Sequence, residues 1–349
     1  MPRHDGRVTT LPATRIPDPL DAPAIRWGVL APGGIARDWT AALHARTASR
    51  VAAVGSRSLE RAQAFATEFG VERAYGSYDA LVADGGIDAI YVASPHSEHH
   101  DHALLALAAG KSVLVEKAFT RNALEATAVV EAARARRLLV VEAMWTRFLP
   151  HIDVVRRCLE DGVLGEVRAV EADHGQLLFP DGPARLAEPG LAGGALLDLA
   201  VYPISFAHLA LGAFTAVQAT GTLAATGVDA SETVAVIGPQ GAIGTLASTM
   251  LAKTPCSASI SGTTARLELD GWFYQPNTVR LIDVDDRELD RYETPSREHG
   301  LSYEAAEFAR LLDAGKTESD LLPLDETLRI MQVLDDVRAQ LGVRFPGEG

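Results

Sequence analysis

Apolar positions in the first part of the chain fall into short, nearly continuous runs: IRWGVLA (25–31), RVAAVGS (50–56), IDAIYVAS (87–94), SVLVEK (112–117) and LLVVEAMW (138–145). Runs of this length predict strands buried on both faces. Between them lie IARDWTAALHA (35–45), LERAQAFATEFG (59–70), HHDHALLALAAG (99–110) and RNALEATAVVEAARARR (121–137). Their apolar residues recur at helical spacing, and Gly70 and Gly110 stand where a helix would close. Strand and helix in strict alternation predict a parallel sheet with crossover helices.

The rhythm changes near residue 145. A helix over HIDVVRRCLEDG (151–162) leads to EVRAVEADHG (166–175), and a helical stretch follows at 195–211. Then come strand-like segments: AVQATGTLAA, ETVAVIG, AIGTLAST, SASISGTTARLELDG and TVRLIDV, with PQG (239–241) as a hairpin turn. Short connections imply antiparallel pairing. Helical patterns return in YEAAEFARLLDAG and LDETLRIMQVLDDVRAQLG. The fold class expected is α/β: a Rossmann-type parallel sheet over 25–145, then an α+β unit over 146–349 with an open-faced, mainly antiparallel sheet. Residues 1–24 carry five prolines and no apolar core segment. They read as a flexible arm, not a signal peptide.

Composition narrows the function. The 349 residues suit two domains, and 47% hydrophobic with 22% charged residues is ordinary for a globular protein. The net charge of −14 argues against a nucleic-acid binder. Cys158 and Cys256 show no paired spacing, which fits a cytoplasmic protein. No long apolar run predicts a membrane span.

The loop after the first strand, Ala31-Pro32-Gly33-Gly34-Ile35-Ala36, is a weak form of the dinucleotide fingerprint. Ala31 stands at the first glycine position, while Gly33 and Ala36 match the others. A helix N-terminus there would face a pyrophosphate; the alternative is a tight turn without a ligand. After the second strand comes Ser56-Arg57-Ser58, with no acid before Glu60. A guanidinium suits a 2′-phosphate, so NADP is expected in preference to NAD. Arg57 and Arg61 read otherwise as exposed helix residues.

SPHSEHHDH (94–102) crowds four histidines together. Ser97 would cap a helix from Glu98 to Ala109, and successive residues then point about 100° apart. The ligands do not converge, so no metal site is expected. His96 and His99, with Ser94 and Pro95, remain of interest because they follow a strand's carboxyl end, where open α/β sheets bind ligands.

SPHSEH (94–99), Glu116-Lys117 in VLVEKAFT, EAMWTRFLP (142–150) and GGALLDLAVYP (193–203) together resemble the glucose–fructose oxidoreductase/inositol dehydrogenase family. The resemblance is strongest to its dimeric dihydrodiol dehydrogenase and NADP-dependent D-xylose dehydrogenase branch. It covers residues 25–349. It implies hydride transfer to or from a sugar or cyclic diol, and a homodimer or larger assembly through the second sheet. Ala118 replaces the usual proline after Glu-Lys. Carried over residue by residue, the cofactor side comprises Pro32, Gly33, Gly34, Ile35, Ala36, Ser56, Arg57, Ser94, Pro95, His96, His99, Glu116, Lys117, Trp145 and Arg147. The substrate side comprises Lys117, Trp145, Phe148, Phe179, Asp198 and Tyr202.

The chemistry of these types supports roles. Asp198 and Tyr202, four apart on a helix, share a face, and Pro203 would kink that helix into a cleft. A phenol is a poor base near pH 7 unless an ammonium lowers its pKa. Lys117 is expected to do this for Tyr202, with Asp198 orienting Lys117 or a sugar hydroxyl. Two other functions remain open: a nucleotide-sensing regulator without turnover, and an NAD-dependent glycosidase.

Overall fold

The protein is described from a computed structural model covering residues 10–296 and 298–348. Six strands form the first sheet: β1 (Arg26–Leu30), β2 (Arg50–Gly55), β3 (Arg73–Tyr75), β4 (Ala89–Val92), β5 (Ser112–Glu116) and β6 (Val140–Ala143). Their order is β3-β2-β1-β4-β5-β6, and every neighbour pair is parallel. This is the doubly wound dinucleotide-binding order, whose switch point lies between β1 and β4. Helices α1 (Gly34–Arg46), α2 (Leu59–Phe69), α3 (Tyr78–Val82), α4 (His99–Ala108) and α5 (Ala123–Arg136) connect the strands. Local chemistry sets their ends. Ser58 Oγ accepts from Arg61 N to start α2, and Gly70 closes it at φ 68°.

After α6 (Pro150–Glu160) comes β7 (Val167–Gly175), then α7 (Val201–Leu211), preceded by a turn of π-helix over Leu196–Ala200. The second sheet adds β8 (Ala216–Leu223), β9 (Asp229–Ile237), β10 (Ile243–Thr249), β11 (Ala258–Gly262), β12 (Ala265–Leu269), β13 (Thr278–Asp283) and β14 (Glu288–Glu293). The order is β14-β13-β12-β11-β7-β10-β9-β8, antiparallel except where β7 meets β10. The turn at 239–241 joins β9 to β10, with Ile237 opposite Ile243. On β9 and β10, Val234, Val236 and Leu246 are buried, while Ile237 and Ile243 face outward.

The tail helices α8 (Ser302–Asp313) and α9 (Leu324–Leu341) return to the first sheet. Phe308 packs on Trp27 with ring centroids 4.8 Å apart, and Thr327 Oγ1 donates to Glu142 Oε2 on β6 at 2.9 Å. The segment after residue 300 therefore builds the core of the nucleotide-binding half as well.

Two expectations are corrected, and a third feature is explained. Residues 1–9 of the expected arm lie outside the described residues, but residues 10–24 are fastened down. Leu11 N donates to Asp290 Oδ2 at 2.8 Å, and Arg15 pairs with Asp153 at 2.7 Å, where the aspartate side chain is 1% exposed. A buried carboxylate needs a cation, and the arm's Arg15 joins Arg156, 3.2 Å from the same side chain, in supplying it. A turn of 3-10 helix, His96–Glu98, precedes α4, so Ser97 is not its cap; Ser97 Oγ turns to Glu98 instead. Finally, Pro189–Leu211 is long and apolar enough to cross a membrane by composition, yet 83% of its most apolar window is buried. That apolarity serves the core between the second sheet and α9.

Candidate active site

The carboxyl ends of the parallel strands bring the sequence motifs to one edge. At the end of β1, Ala31 adopts φ 69°, a conformation that glycine takes without cost. The glycine loop then opens outward. A Cβ on Gly33 would meet only Ala93 O, at 4.0 Å, and one on Gly34 would meet nothing. Neither glycine is demanded by protein packing. Gly33 also gives α1 no side-chain cap, and no acid lies in its first turn. The N–H groups there are available to an anion. Arg57, after β2, is exposed and forms no ion pair among the described residues. Ser56 is buried, its Oγ accepting from Ser58 N at 3.2 Å. These residues fit a dinucleotide with a 2′-phosphate.

His96 and His99 are buried props of the backbone. His96 Nδ1 lies 3.1 Å from Ala192 O, and Nε2 3.2 Å from Lys117 O. His99 lies 2.9 Å from Ala118 O and 2.8 Å from Ser94 O. Burial lowers their pKa values to about 3 and about 4. A neutral ring donates once, so in each case one contact is a hydrogen bond and the other a close approach. His102 meets Ser94 Oγ at 2.9 Å, and His100 turns outward to Asp101. Among the described residues no group of three or more His, Cys, Asp or Glu side chains is arranged to hold a metal ion.

The chemistry converges on β5 and the π turn. The Lys117–Ala118 peptide is cis. Lys117 Nζ lies 2.8 Å from Asp198 O and 3.3 Å from Asp198 Oδ1. Pro203 removes one possible helical donor to that carbonyl. It has no N–H, so it bonds neither its α-type partner Leu199 O nor its π-type partner Asp198 O. Lys117 takes one, and His174 Nδ1 approaches the other at 3.2 Å. Gln176 Nε2 lies 2.9 Å from His174 Nε2, so His174 carries its proton on Nδ1. Burial, with Lys117 nearby, lowers its pKa to about 4.

Tyr202 sits in an aromatic box. Trp145 Nε1 donates to Tyr202 Oη at 3.1 Å, and the rings of Tyr274 and His174 lie 4.8 and 5.2 Å away. Lys117 Nζ stands 5.2 Å from the ring centre. The expected lowering of the phenol by Lys117 is not what this geometry produces. Burial, and then the charge of Glu116, push Tyr202 well above the usual phenol value. The ammonium is instead committed to Asp198. Burial opposes ionisation of Asp198, but Lys117 and Arg185 hold it well below the usual carboxylate range. Arg185 NH2 lies 3.1 Å from the same Oδ1.

Several expected site residues lie elsewhere. Arg147 is 2% exposed and bonds Ser205 and Glu326, so it ties the turn at 145–148 to α7 and α9 and does not reach the cofactor face. Phe148 is fully buried in the core. Phe179, partly buried, packs against Leu186, Leu199 and Met250, the first two being chain neighbours of Arg185 and Asp198. Trp145, by contrast, reaches Tyr202. Sequence reasoning missed Arg185, Gln176 and Tyr274, which sit in loops or at strand ends without periodic signal. His174 carried only the hint of a histidine at a strand's end.

The matched families complete the assignment. The description "Oxidoreductase family, NAD-binding Rossmann fold" matches residues 25–143, and "GFO/IDH/MocA C-terminal domain" matches 152–268. The chain belongs to the GFO/IDH/MocA oxidoreductase family. Trans-1,2-dihydrobenzene-1,2-diol dehydrogenase from Bos taurus is 34% identical over 333 residues, covering 93% of this chain and 98% of its own. A 3-ketoreductase from Actinomadura kijaniata, solved with NADP and TDP-benzene, superposes with TM-score 0.80 at 30% identity, covering 91% of this chain and 98% of its own. The aldose-aldose oxidoreductase of Caulobacter crescentus, at 23% identity and TM-score 0.82 over 91% of this chain and 97% of its own, shares the fold.

Proposed function

We propose that this oxidoreductase transfers a hydride between NADP(H) and a CH–OH group of a sugar or cyclic diol. The observation that carries the reading is the meeting of Lys117, Asp198 and Tyr202 at the carboxyl edge of the parallel sheet. The open glycine loop and Arg57 lie along the same edge. The names of the cattle dehydrogenase and the bacterial 3-ketoreductase support the reaction class.

The nicotinamide, when bound, accepts or supplies the hydride. The protein's own groups handle the proton and the oxygen. Lys117, held by Asp198, has an N–H left to bond the substrate oxygen, and its charge stabilises negative charge growing there. Tyr202 moves the hydroxyl proton. Its raised pKa keeps the phenol protonated at neutral pH, so it is ready as the donor for carbonyl reduction and becomes a base only as pH rises. Trp145 fixes its hydroxyl. Tyr274 and His174 present ring surface suited to a carbocycle or the apolar face of a sugar.

The open face of the second sheet, with Ile237 and Ile243 41% and 53% exposed, supports a homodimer as the working form. Two buried, unpaired cysteines support a cytoplasmic setting. The test is a panel of sugars and dihydrodiols with NADP, followed by NADPH absorbance. Turnover is expected with at least one class, and Tyr202→Phe should cut it by about 10²–10⁴. Near-normal turnover in that variant places the acid/base elsewhere.

A further inference from the structure

The loop between β12 and β13 carries a tryptophan that packing does not explain. Trp272 holds φ 66° and is 36% exposed. A left-handed backbone is rare and strained for a bulky side chain, and a ring left in water recovers little of that cost by burial. Such strain persists only where the surroundings fix it, and it gathers at ligand-binding sites. Here the surroundings do fix it. Buried Asn277 donates through Nδ2 to Asp270 O at 3.0 Å and to Gly271 O at 3.1 Å. Phe273 N donates to Cys256 O at 3.0 Å, and Gln275 N to Trp272 O at 2.9 Å.

The held ring continues the aromatic surface of the candidate site. Its centre is 5.8 Å from that of Tyr274, and Tyr274 is 4.8 Å from Tyr202. A cavity of about 200 Å³ opens beside it, lined by Gly271, Trp272, Gln275 and Pro276. Its Pro276 side also leads back to the site. A Cβ on Gly300 would meet Trp145 Cζ3 at 2.6 Å and Pro276 Cδ at 2.9 Å, and Trp145 bonds Tyr202. Pockets for whole drug-sized ligands hold about 300–1,000 Å³, so this one suits a single ring. Lys253 Nζ stands 5.4 Å from the centre of the Trp272 ring. An indole face packs on the C–H face of a pyranose. The Gln275 amide and the Lys253 ammonium offer donors, and the amide an acceptor, for ring hydroxyls. A wholly apolar pocket would suit an aryl group; this mixture suits a sugar.

We propose that Trp272, with Gln275 and Lys253, forms an outer subsite for a second sugar ring, so that the substrate is a disaccharide or glycoside whose reacting ring lies at Tyr202 and Tyr274. The proposal rests on the sugar reading of the site above, but its test does not use turnover.

The experiment is calorimetric binding to the full chain with NADPH bound, so that no sugar is oxidised. The probes are cellobiose, maltose and xylobiose, each against its own monosaccharide, glucose or xylose. At least one disaccharide should bind about tenfold more tightly than its monosaccharide, the size of one ring stacked on an aromatic. In Trp272→Gly that advantage should vanish, with a much smaller change for the monosaccharide. Glycine takes φ 66° without strain, so this variant keeps the loop. No advantage in the parent protein, or an advantage that survives in Trp272→Gly, overturns the proposal. An equal loss for both sugars also overturns it, because Trp272 would then be a wall of the inner site. So does a changed mass in light scattering with sugar binding intact, which would give this surface to a second copy of the chain. The two readings fail separately. NADPH formation from a monosaccharide without any disaccharide advantage sinks only the outer subsite. A disaccharide advantage without NADPH formation from any sugar or diol sinks the hydride-transfer reading and leaves the subsite.

Discussion

Lys117 and Asp198 meet twice: the ammonium lies 2.8 Å from the aspartate's main-chain carbonyl and 3.3 Å from its side-chain Oδ1. Pro203, with no N–H, takes away one helical donor that could compete for the first contact. The second balances the lysine's charge. Asp198→Asn keeps the carbonyl contact and removes the charge. Turnover should fall by about tenfold to a hundredfold, as for a lost charge-assisted bond of roughly 1.5–3 kcal/mol. Arg185→Ala, which removes a half-exposed partner of the same oxygen, should cost less than about fivefold. Equal losses in the two variants would show that Arg185, not Lys117, is the partner that matters.

Arg57 stands exposed beyond β2, and no acid precedes Glu60 after that strand. Arg57→Ala should raise the Michaelis constant for NADP by about tenfold to a hundredfold, because a guanidinium–phosphate contact is lost. The constant for NAD should hardly change. Parallel shifts for both cofactors would count against Arg57 as the 2′-phosphate reader.

Glu326 is the counter-ion of the interior between the two sheets. It pairs with Arg147 at 2.8 Å and with His208 at 2.9 Å. Burial would raise its pKa, but the bonds from His208 and Arg147 outweigh it and lower the value from 4.5 to about 2. A depressed folded pKa contributes stability above the unfolded value, and that stability is lost as pH falls through the folded value. Glu326→Gln should therefore be less stable than the parent by about 3 kcal/mol at pH 7. The difference should shrink between pH 4.5 and about 2. Urea unfolding across that range checks it; a constant difference would mean that the loss is one of packing.

Ala31 holds φ 69° at the position where the fingerprint has glycine. A left-handed alanine costs roughly 1–2 kcal/mol, and glycine costs roughly 0.5–1 kcal/mol of chain entropy instead. Ala31→Gly should thus be stabilising by about 0.5–1 kcal/mol, seen as a higher denaturation midpoint. A lower midpoint would show that the alanine methyl packs well enough to outweigh the strained backbone.

Much of this protein was legible from residue order. The continuous apolar runs and intervening helical patterns determined the parallel sheet, because strands buried on both faces cannot alternate with polar residues. The two polar strands escaped the same reasoning. β3 has three residues, and β14, ELDRYE, carries charge along an edge where hydrogen bonding needs no apolar pattern. The glycine loop, Arg57, Lys117, Asp198 and Tyr202 were each visible as residue types in motifs. What only the tertiary structure decided was which groups touch. Arg147 and Phe148 adjoin Trp145 in sequence, yet a 3-10 turn sends them into the core and Trp145 to Tyr202. Arg185, Tyr274 and Gln176 reach the site from loops and strand ends separated along the chain. The state of Tyr202 was also beyond the sequence. The nearness of a lysine suggested a lowered phenol, but burial and the competing claim of Asp198 on that lysine reverse the sign. Charge balance in a buried site depends on distances among all its members, and those distances are properties of the folded chain.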